Sequence, residues 1–218
     1  MDWLQPEALI ASFGVFALIG VCAIIFTETG LLIGFFLPGD SLLFVTGLMI
    51  STGDVVFPVA NQMLPVPIWA ACILISLSAW LGDQTGYWIG RKAGTSIFNK
   101  QDSKFFSQNN VSRTNAFFER YGAKAIILAH FVPVMRTFVP VAAGVGQMSY
   151  RRFLKYNLWG VIGWGTGVTL LGFFLGKIPF VAEHVEYFTI GFILLSSIPI
   201  AIEIVKARRE HKAEALIK

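Results

Sequence analysis

The chain has 218 residues, 55% of them hydrophobic and 14% charged, with a formal net charge of +4 and a mean hydropathy of +0.66. A soluble domain usually carries about 25% charged residues, so this shortage excludes disorder, a nucleic-acid module and an ordinary cytosolic enzyme. All 17 Lys/Arg lie at or beyond Arg91, and this basic excess fits the cytoplasmic loops of an integral membrane protein better than a nucleic-acid partner.

Crossing about 30 Å of hydrocarbon takes about 20 helical residues. Ala8–Phe26 carries no charge and predicts a first transmembrane helix. It has no positive n-region ahead of it, and Val21 before Cys22 does not suit a lipoprotein signal, so the N-terminus is expected to be kept. Cys22 and Cys72 both fall in apolar runs and read as small core residues, not as a disulfide. Thr27–Ile50 is apolar but interrupted by Pro38-Gly39-Asp40. Proline removes a backbone donor and clashes with the preceding turn, so a hairpin is expected over 27–50.

Ile68–Gly90 predicts a second spanning helix with Asp83 in its last third. Gly82, Gly86 and Gly90 recur every four residues and give one smooth face for close packing, not a phosphate loop. The segment 96–122 has Val111, Asn115 and Phe118 at helical spacing among charges. It reads as an amphipathic helix, on the inner leaflet or under the bundle. Ala125–Met148 is interrupted by Pro133 and Pro140 with Arg136 between them, predicting a second hairpin over 124–148 that breaks near its middle. Tyr156–Gly176 and Tyr187–Val205 complete four transmembrane helices.

Charge parity orders these elements. Arg91–Lys124 carries seven Lys/Arg against Asp102 and Glu119, a net +5; Ser149–Lys155 carries Arg151, Arg152 and Lys155; the tail 206–218 nets +3. All three belong in the cytoplasm, which requires the second hairpin to enter and leave on one side. Ser51–Pro67 and Lys177–Glu186 each net −1 and fall outside. For the first hairpin charge is silent, so the N-terminus is inside if that hairpin is re-entrant and outside if it spans. The expected fold is an all-α polytopic membrane protein: four transmembrane helices plus two proline-broken re-entrant hairpins in an inverted repeat. Residues 1–205 form one membrane domain and 206–218 a basic cytoplasmic tail. Broken helices meeting near the midplane are typical of secondary transporters.

Intramembrane charges cost about 2.5–3.5 kcal/mol each on insertion scales and mark function by default. Five stand out: Glu28, Asp40, Asp83, His130 and Arg136. Two acidic groups in one hairpin and two basic groups in the other would sit together if the hairpin tips meet. A guanidinium is permanently charged and grips phosphate through two parallel hydrogen bonds. Glu28 or Asp40 offers a carboxylate to take up and release a proton, and His130 an imidazole to do so near neutral pH. Asp83 is expected to pair with Arg91 or with the hairpins. A structural ion-pair role is the plainer alternative for all of these.

These residues carry a resemblance that covers nearly the whole chain. Glu28 leads into Phe36-Leu37-Pro38-Gly39-Asp40-Ser41; Gly82-Asp83 is followed by Gly86-Tyr87 and Gly90-Arg91; and Phe131-Val132-Pro133-Val134-Met135-Arg136-Thr137-Phe138-Val139-Pro140 precedes Ala143-Gly144. The pattern resembles the DedA family of bacterial membrane proteins, related to the SNARE-associated Golgi, or VTT-domain, lipid scramblases of eukaryotes. The family's acidic pair falls on Glu28 and Asp40 and its proline-flanked arginine on Arg136. Where many members have an arginine six residues earlier, this chain has His130.

The resemblance implies a multi-pass protein of the bacterial cytoplasmic membrane that translocates a lipid, undecaprenyl phosphate or phosphatidylethanolamine and its relatives, in support of envelope maintenance. On this reading Arg136 and His130 hold the phosphate, Glu28 and Asp40 couple protons or gate, and Asp83, Arg91, Pro38, Gly39, Pro133 and Pro140 support them. The expected partners are the lipid, the membrane and protons driven by the proton motive force, with an oligomer allowed; no nucleic acid, cofactor or metal is implied. An intramembrane enzyme such as a lipid phosphatase is weakly supported, because His184 and His211 lie outside the core and no Ser/His constellation appears. A membrane-assembly factor is the other alternative, and a channel is weaker still because the opposite charges offset one another.

Overall fold

A computed structural model describes residues 16–31, 37–53, 56–59, 62–97, 122, 124–184, 187–188 and 191. Most of the helix expected from Tyr187 to Val205, the amphipathic segment at 96–122 and the tail lie outside the described residues, as does the start of the first apolar run. The described chain is helical, with one addition that the sequence pattern does not announce, a short β-hairpin. In chain order, α1 spans Ala17–Gly30 and α2 Gly39–Thr52; strands β1 (Val56–Val59) and β2 (Gln62–Pro65) follow; α3 spans Ile68–Ile97. Next come α4 (Lys124–Ala129), α5 (Pro133–Val145), α6 (Tyr150–Val161), a π-helical turn (Ile162–Thr166), α7 (Gly167–Gly176) and α8 (Pro179–Glu183). The two strands pair antiparallel from Val56 opposite Pro65 to Val59 opposite Gln62.

Both proline-bearing stretches are interrupted, though not at every proline. Pro38 stands at the N-cap of α2, so its missing donor falls where no helical bond is needed, and Asp40 lies in the first turn, where the helix dipole favours an anion. Pro133 opens α5 in the same way, and Val132 before it is extended, as a residue preceding proline prefers. The single break expected near the middle of this stretch falls just before Pro133, and Pro140 makes none. It lies inside α5 without ending it and rests against Gly86 of α3. Proline there cannot donate to the Arg136 carbonyl, but packing on α3 keeps the helix continuous.

The most extensive packing is reciprocal. Arm α2 of the first hairpin lies on α7, while arm α5 of the second lies on α3, and α1 also packs on α3. Glycines set the approach. A Cβ on Gly47 would strike the Thr169 carbonyl and one on Gly172 the Phe44 carbonyl; across the other contact, Gly90 meets Val141 and Gly144 meets Tyr87 in the same way. Where hydrocarbon surrounds a bundle, such small-residue contacts replace the hydrophobic drive between helices.

The helix Tyr150–Gly176, through α6, the π turn and α7, is the described helix long and apolar enough to cross a membrane; only 33% of its most apolar window is buried. Trp159 and Phe174 are exposed on it, as Trp69, Ile73 and Trp88 are on α3. Beyond the exposed Arg151, Arg152 and Lys155 the outer side of this helix is apolar too, as suits an apolar medium. Inside, one apolar cluster gathers Ile25, Leu42, Phe44, Ile75 and Trp164. A second gathers Tyr87, Ile126, Val139 and Phe153, with the Tyr87 and Phe153 rings stacked at 4.6 Å.

Candidate functional site

Arg136 projects from the first turn of α5 into the interior and is 2% exposed. The break at Pro133 is what places it so early in a helix. Its guanidinium fork is engaged by the other hairpin. Nη2 donates to Glu28 Oε1 on α1 at 2.5 Å, and Nη1 donates to Asp40 Oδ1 on α2 at 2.6 Å. A permanently charged group buried in this way needs paired, hydrogen-bonded counter-charges, and here one cation meets two carboxylates.

Trp164 completes the site. Its Nε1 donates to the same Asp40 oxygen at 2.7 Å, and its ring centroid lies 4.0 Å from the Arg136 Cζ, a cation–π contact. The residue sits in the π turn, where one extra residue in the helical spiral re-aims the side chains that follow. Sequence reasoning missed Trp164. The available signal was its setting, a lone aromatic among Gly160, Gly163, Gly165 and Gly167 inside a charge-free span.

Gly39 lets the acidic pair close. The Glu28 carboxylate lies against its Cα, where a Cβ would overlap the carboxylate oxygens. Glu28 Oε2 lies against the Gly39 backbone, while Arg136 Nε is buried with no hydrogen-bond partner among the described residues. The cluster therefore keeps one donor beyond its own ion pairs.

His130 goes elsewhere. It occupies the turn between α4 and α5, and its Nε2 lies 3.1 Å from Asp83 Oδ2 on α3. Only its backbone meets Arg136, whose Nη1 donates to the His130 carbonyl at 3.4 Å. The four hairpin charges thus divide. Three form one cluster, and His130 takes the Asp83 that the sequence left open between Arg91 and the hairpins. Arg91 is committed to packing: its Nη1 donates to the Tyr87 hydroxyl at 2.6 Å, which in turn donates to the Met148 carbonyl at 2.6 Å. That chain ties α3 to the turn between α5 and α6.

No group of three or more His, Cys, Asp or Glu side chains suited to a metal occurs among the described residues. A groove of about 600 Å³ runs between α3 and the helix of α6, the π turn and α7; Trp69, Cys72, Ile73, Leu77, Leu158 and Ile162 are among the residues lining it. Ser76 and Thr166, hydrogen-bonded to one another at 3.0 Å, lie along the same groove.

Comparison with known proteins places this arrangement. The VTT domain matches residues 7–174. An uncharacterised membrane protein of Mycobacterium tuberculosis is 43% identical over 215 residues, 97% of this chain and 89% of that protein. Protein DedA of Escherichia coli K12 is 40% identical over 203 residues, 92% of this chain and 88% of that protein. Inner membrane protein YghB of Salmonella typhimurium is 35% identical over 162 residues, 74% of this chain and 69% of that protein. No solved structure matches the chain. The domain match spans the buried charges and the helices that carry them, and the chain is a membrane protein that belongs to the VTT-domain family and, within it, to the DedA proteins.

Proposed function

We propose that this protein carries a lipid phosphate across the bacterial cytoplasmic membrane as a multi-pass, non-enzymatic transporter, with undecaprenyl phosphate returned to the inner leaflet as its substrate. The observation that carries the reading is Arg136, buried between Glu28 and Asp40 with its fork filled by carboxylates. A phosphate offers a guanidinium paired oxygens much as carboxylates do. The lipid head group enters by replacing one carboxylate, and Glu28 and Asp40 then act as the gate that closes on Arg136 when the substrate leaves. Displacing a carboxylate leaves charge that the interior holds only if the buried charge network takes up a proton, which links transport to the proton motive force. The His130 ring is held by Asp83, and only its backbone carbonyl accepts from the guanidinium, so Arg136 is the residue that grips the phosphate. The apolar groove against α3 offers the hydrocarbon part of the substrate a surface of suitable size.

On this reading both hairpins are re-entrant and the two halves form an inverted repeat about the midplane. The reciprocal packing of α2 on α7 and α5 on α3 supports it. A second reading within the same class is flipping or scrambling of phosphatidylethanolamine, whose phosphate diester suits the same fork. A membrane-assembly factor without transport is the reading from a different class.

Reconstituted liposomes separate them. Leaflet exchange of labelled undecaprenyl phosphate, faster with a pH gradient and lost in Arg136→Ala and Glu28→Gln variants that still fold, is the expected result. Exchange of both lipids regardless of gradient makes the protein a scramblase. Unchanged exchange in the folded variants sinks the role given to Arg136, and no exchange by the native chain favours the assembly factor.

A further inference from the structure

The second buried pair holds chemistry that the Arg136 cluster does not need. His130 is 1% exposed and Asp83 fully buried, and their contact joins the second hairpin to the long helix α3. Both imidazole nitrogens are committed. Nδ1 lies 2.8 Å from the Ile126 carbonyl one turn back. A carbonyl only accepts, so Nδ1 carries a hydrogen. Nε2 lies 3.1 Å from Asp83 Oδ2. With Nε2 bare and Asp83 ionised, two lone pairs would face one another at hydrogen-bond distance.

The arrangement therefore contains one further proton, on Nε2 or on Oδ2. Without it the ring has a single hydrogen for two acceptors, and either the bond to Asp83 or the bond to Ile126 has to break. No change of tautomer satisfies both.

The surroundings make that proton consequential. The charged groups facing His130 are Asp83 from α3 and, through the His130 backbone, Arg136 from α5. From α6 come uncharged groups. A Cβ on Gly160 would strike the ring, and buried Asn157 stands beside Asp83. Asn157 is a neutral amide set against Asp83. An amide donates to a carboxylate and accepts from a carboxylic acid, so it suits Asp83 with or without the proton. The His130 carbonyl accepts from Arg136, and His130 belongs to the turn that leads into α5. The ring is thus joined through its own backbone to the turn that leads to Arg136.

We propose that the His130–Asp83 pair is a one-proton binding site that latches the second hairpin to α3, and that transport is coupled to protons here rather than at Glu28 and Asp40. The coupling half of this proposal rests on the transport reading above; the proton site does not.

Two experiments keep them apart. In the full chain carrying His184→Gln and His211→Gln, His130 is the sole histidine, and its imidazole 15N shifts report tautomer and protonation directly. The expected spectrum near neutral pH has Nδ1 protonated and Nε2 either protonated or strongly hydrogen-bonded, and Asp83→Asn shifts it. A neutral ring with a hydrogen on Nε2, a bare Nδ1 and no response to Asp83→Asn overturns the site, whatever the protein transports.

In liposomes, the ratio of undecaprenyl phosphate exchange with a pH gradient to that without is expected to fall to unity in His130→Gln. A ratio that stays at the native value returns coupling to the acidic pair. Loss of all exchange in folded His130→Gln overturns the coupling role in favour of a direct part in holding substrate. No exchange by the native chain removes the coupling half, and the 15N spectrum still decides the site.

Discussion

The two buried charge sites are built from the same kinds of element and behave as opposites. Around Arg136, a permanent cation is held by two carboxylates, one of which also accepts from an indole. Around His130, a titratable ring meets one carboxylate, and its bonding pattern is complete only while an extra proton is present. On the proposals above, one site keeps its cation and exchanges ligands, while the other keeps its ligands and exchanges a proton. The backbone carbonyl of His130 joins them. Each site also depends on a glycine that lets a polar side chain lie against backbone: Gly39 beside Glu28 and Gly160 beside His130.

The comparison breaks most severely at Arg136. Arg136→Ala leaves Glu28 and Asp40 without their counter-charge and is expected to cost about 3–5 kcal/mol, read by thermal unfolding in detergent. Adding Glu28→Gln and Asp40→Asn to it removes the stranded charges, so the triple variant is expected to recover much of that loss. A triple variant as unstable as the single one would mean that packing, not charge, dominates at this site.

Trp164→Phe keeps a ring over the guanidinium but deletes the bond to Asp40, for about 1.5–3 kcal/mol by the same measurement. The hydrogen bonds of the His130 ring go to Ile126 and Asp83, so its 15N spectrum is expected to stay native. A large spectral change would mean that the two sites are coupled more tightly than one shared carbonyl implies.

The glycines give the finest test. Gly39→Ala pushes on the Glu28 carboxylate and Gly160→Ala on the imidazole, each at about 1–3 kcal/mol for overpacking. The first is expected to weaken the Arg136 cluster and the second to separate His130 from Asp83. Equal effects of both on the His130 spectrum would erase the distinction between the sites.

Much of this is legible in the chain. Proline has a fixed backbone consequence, so Pro38 and Pro133 mark the helix starts that carry Asp40 and Arg136. Charge is costly in hydrocarbon, so Glu28, Asp40, Asp83, His130 and Arg136 stand out before any contact is known. Pro140 misleads because a proline's effect also depends on its neighbours, and α3 supports it through Gly86. Trp164 escapes notice because indole is ordinary in an apolar span, and only the π turn aims it at Asp40.

By itself, then, the sequence determined the class of protein, the two stretches whose helices break and the list of buried charges, because hydropathy, proline geometry and the cost of desolvating a charge are local properties. Only the tertiary structure decided the partners. Charge sign allows Arg136 or His130 to meet any of three carboxylates. What selects Glu28 and Asp40 for the one and Asp83 for the other is the glycine-limited approach of α5 to α3 and the re-aimed Trp164, which bring together residues as far apart as 124 positions in the chain.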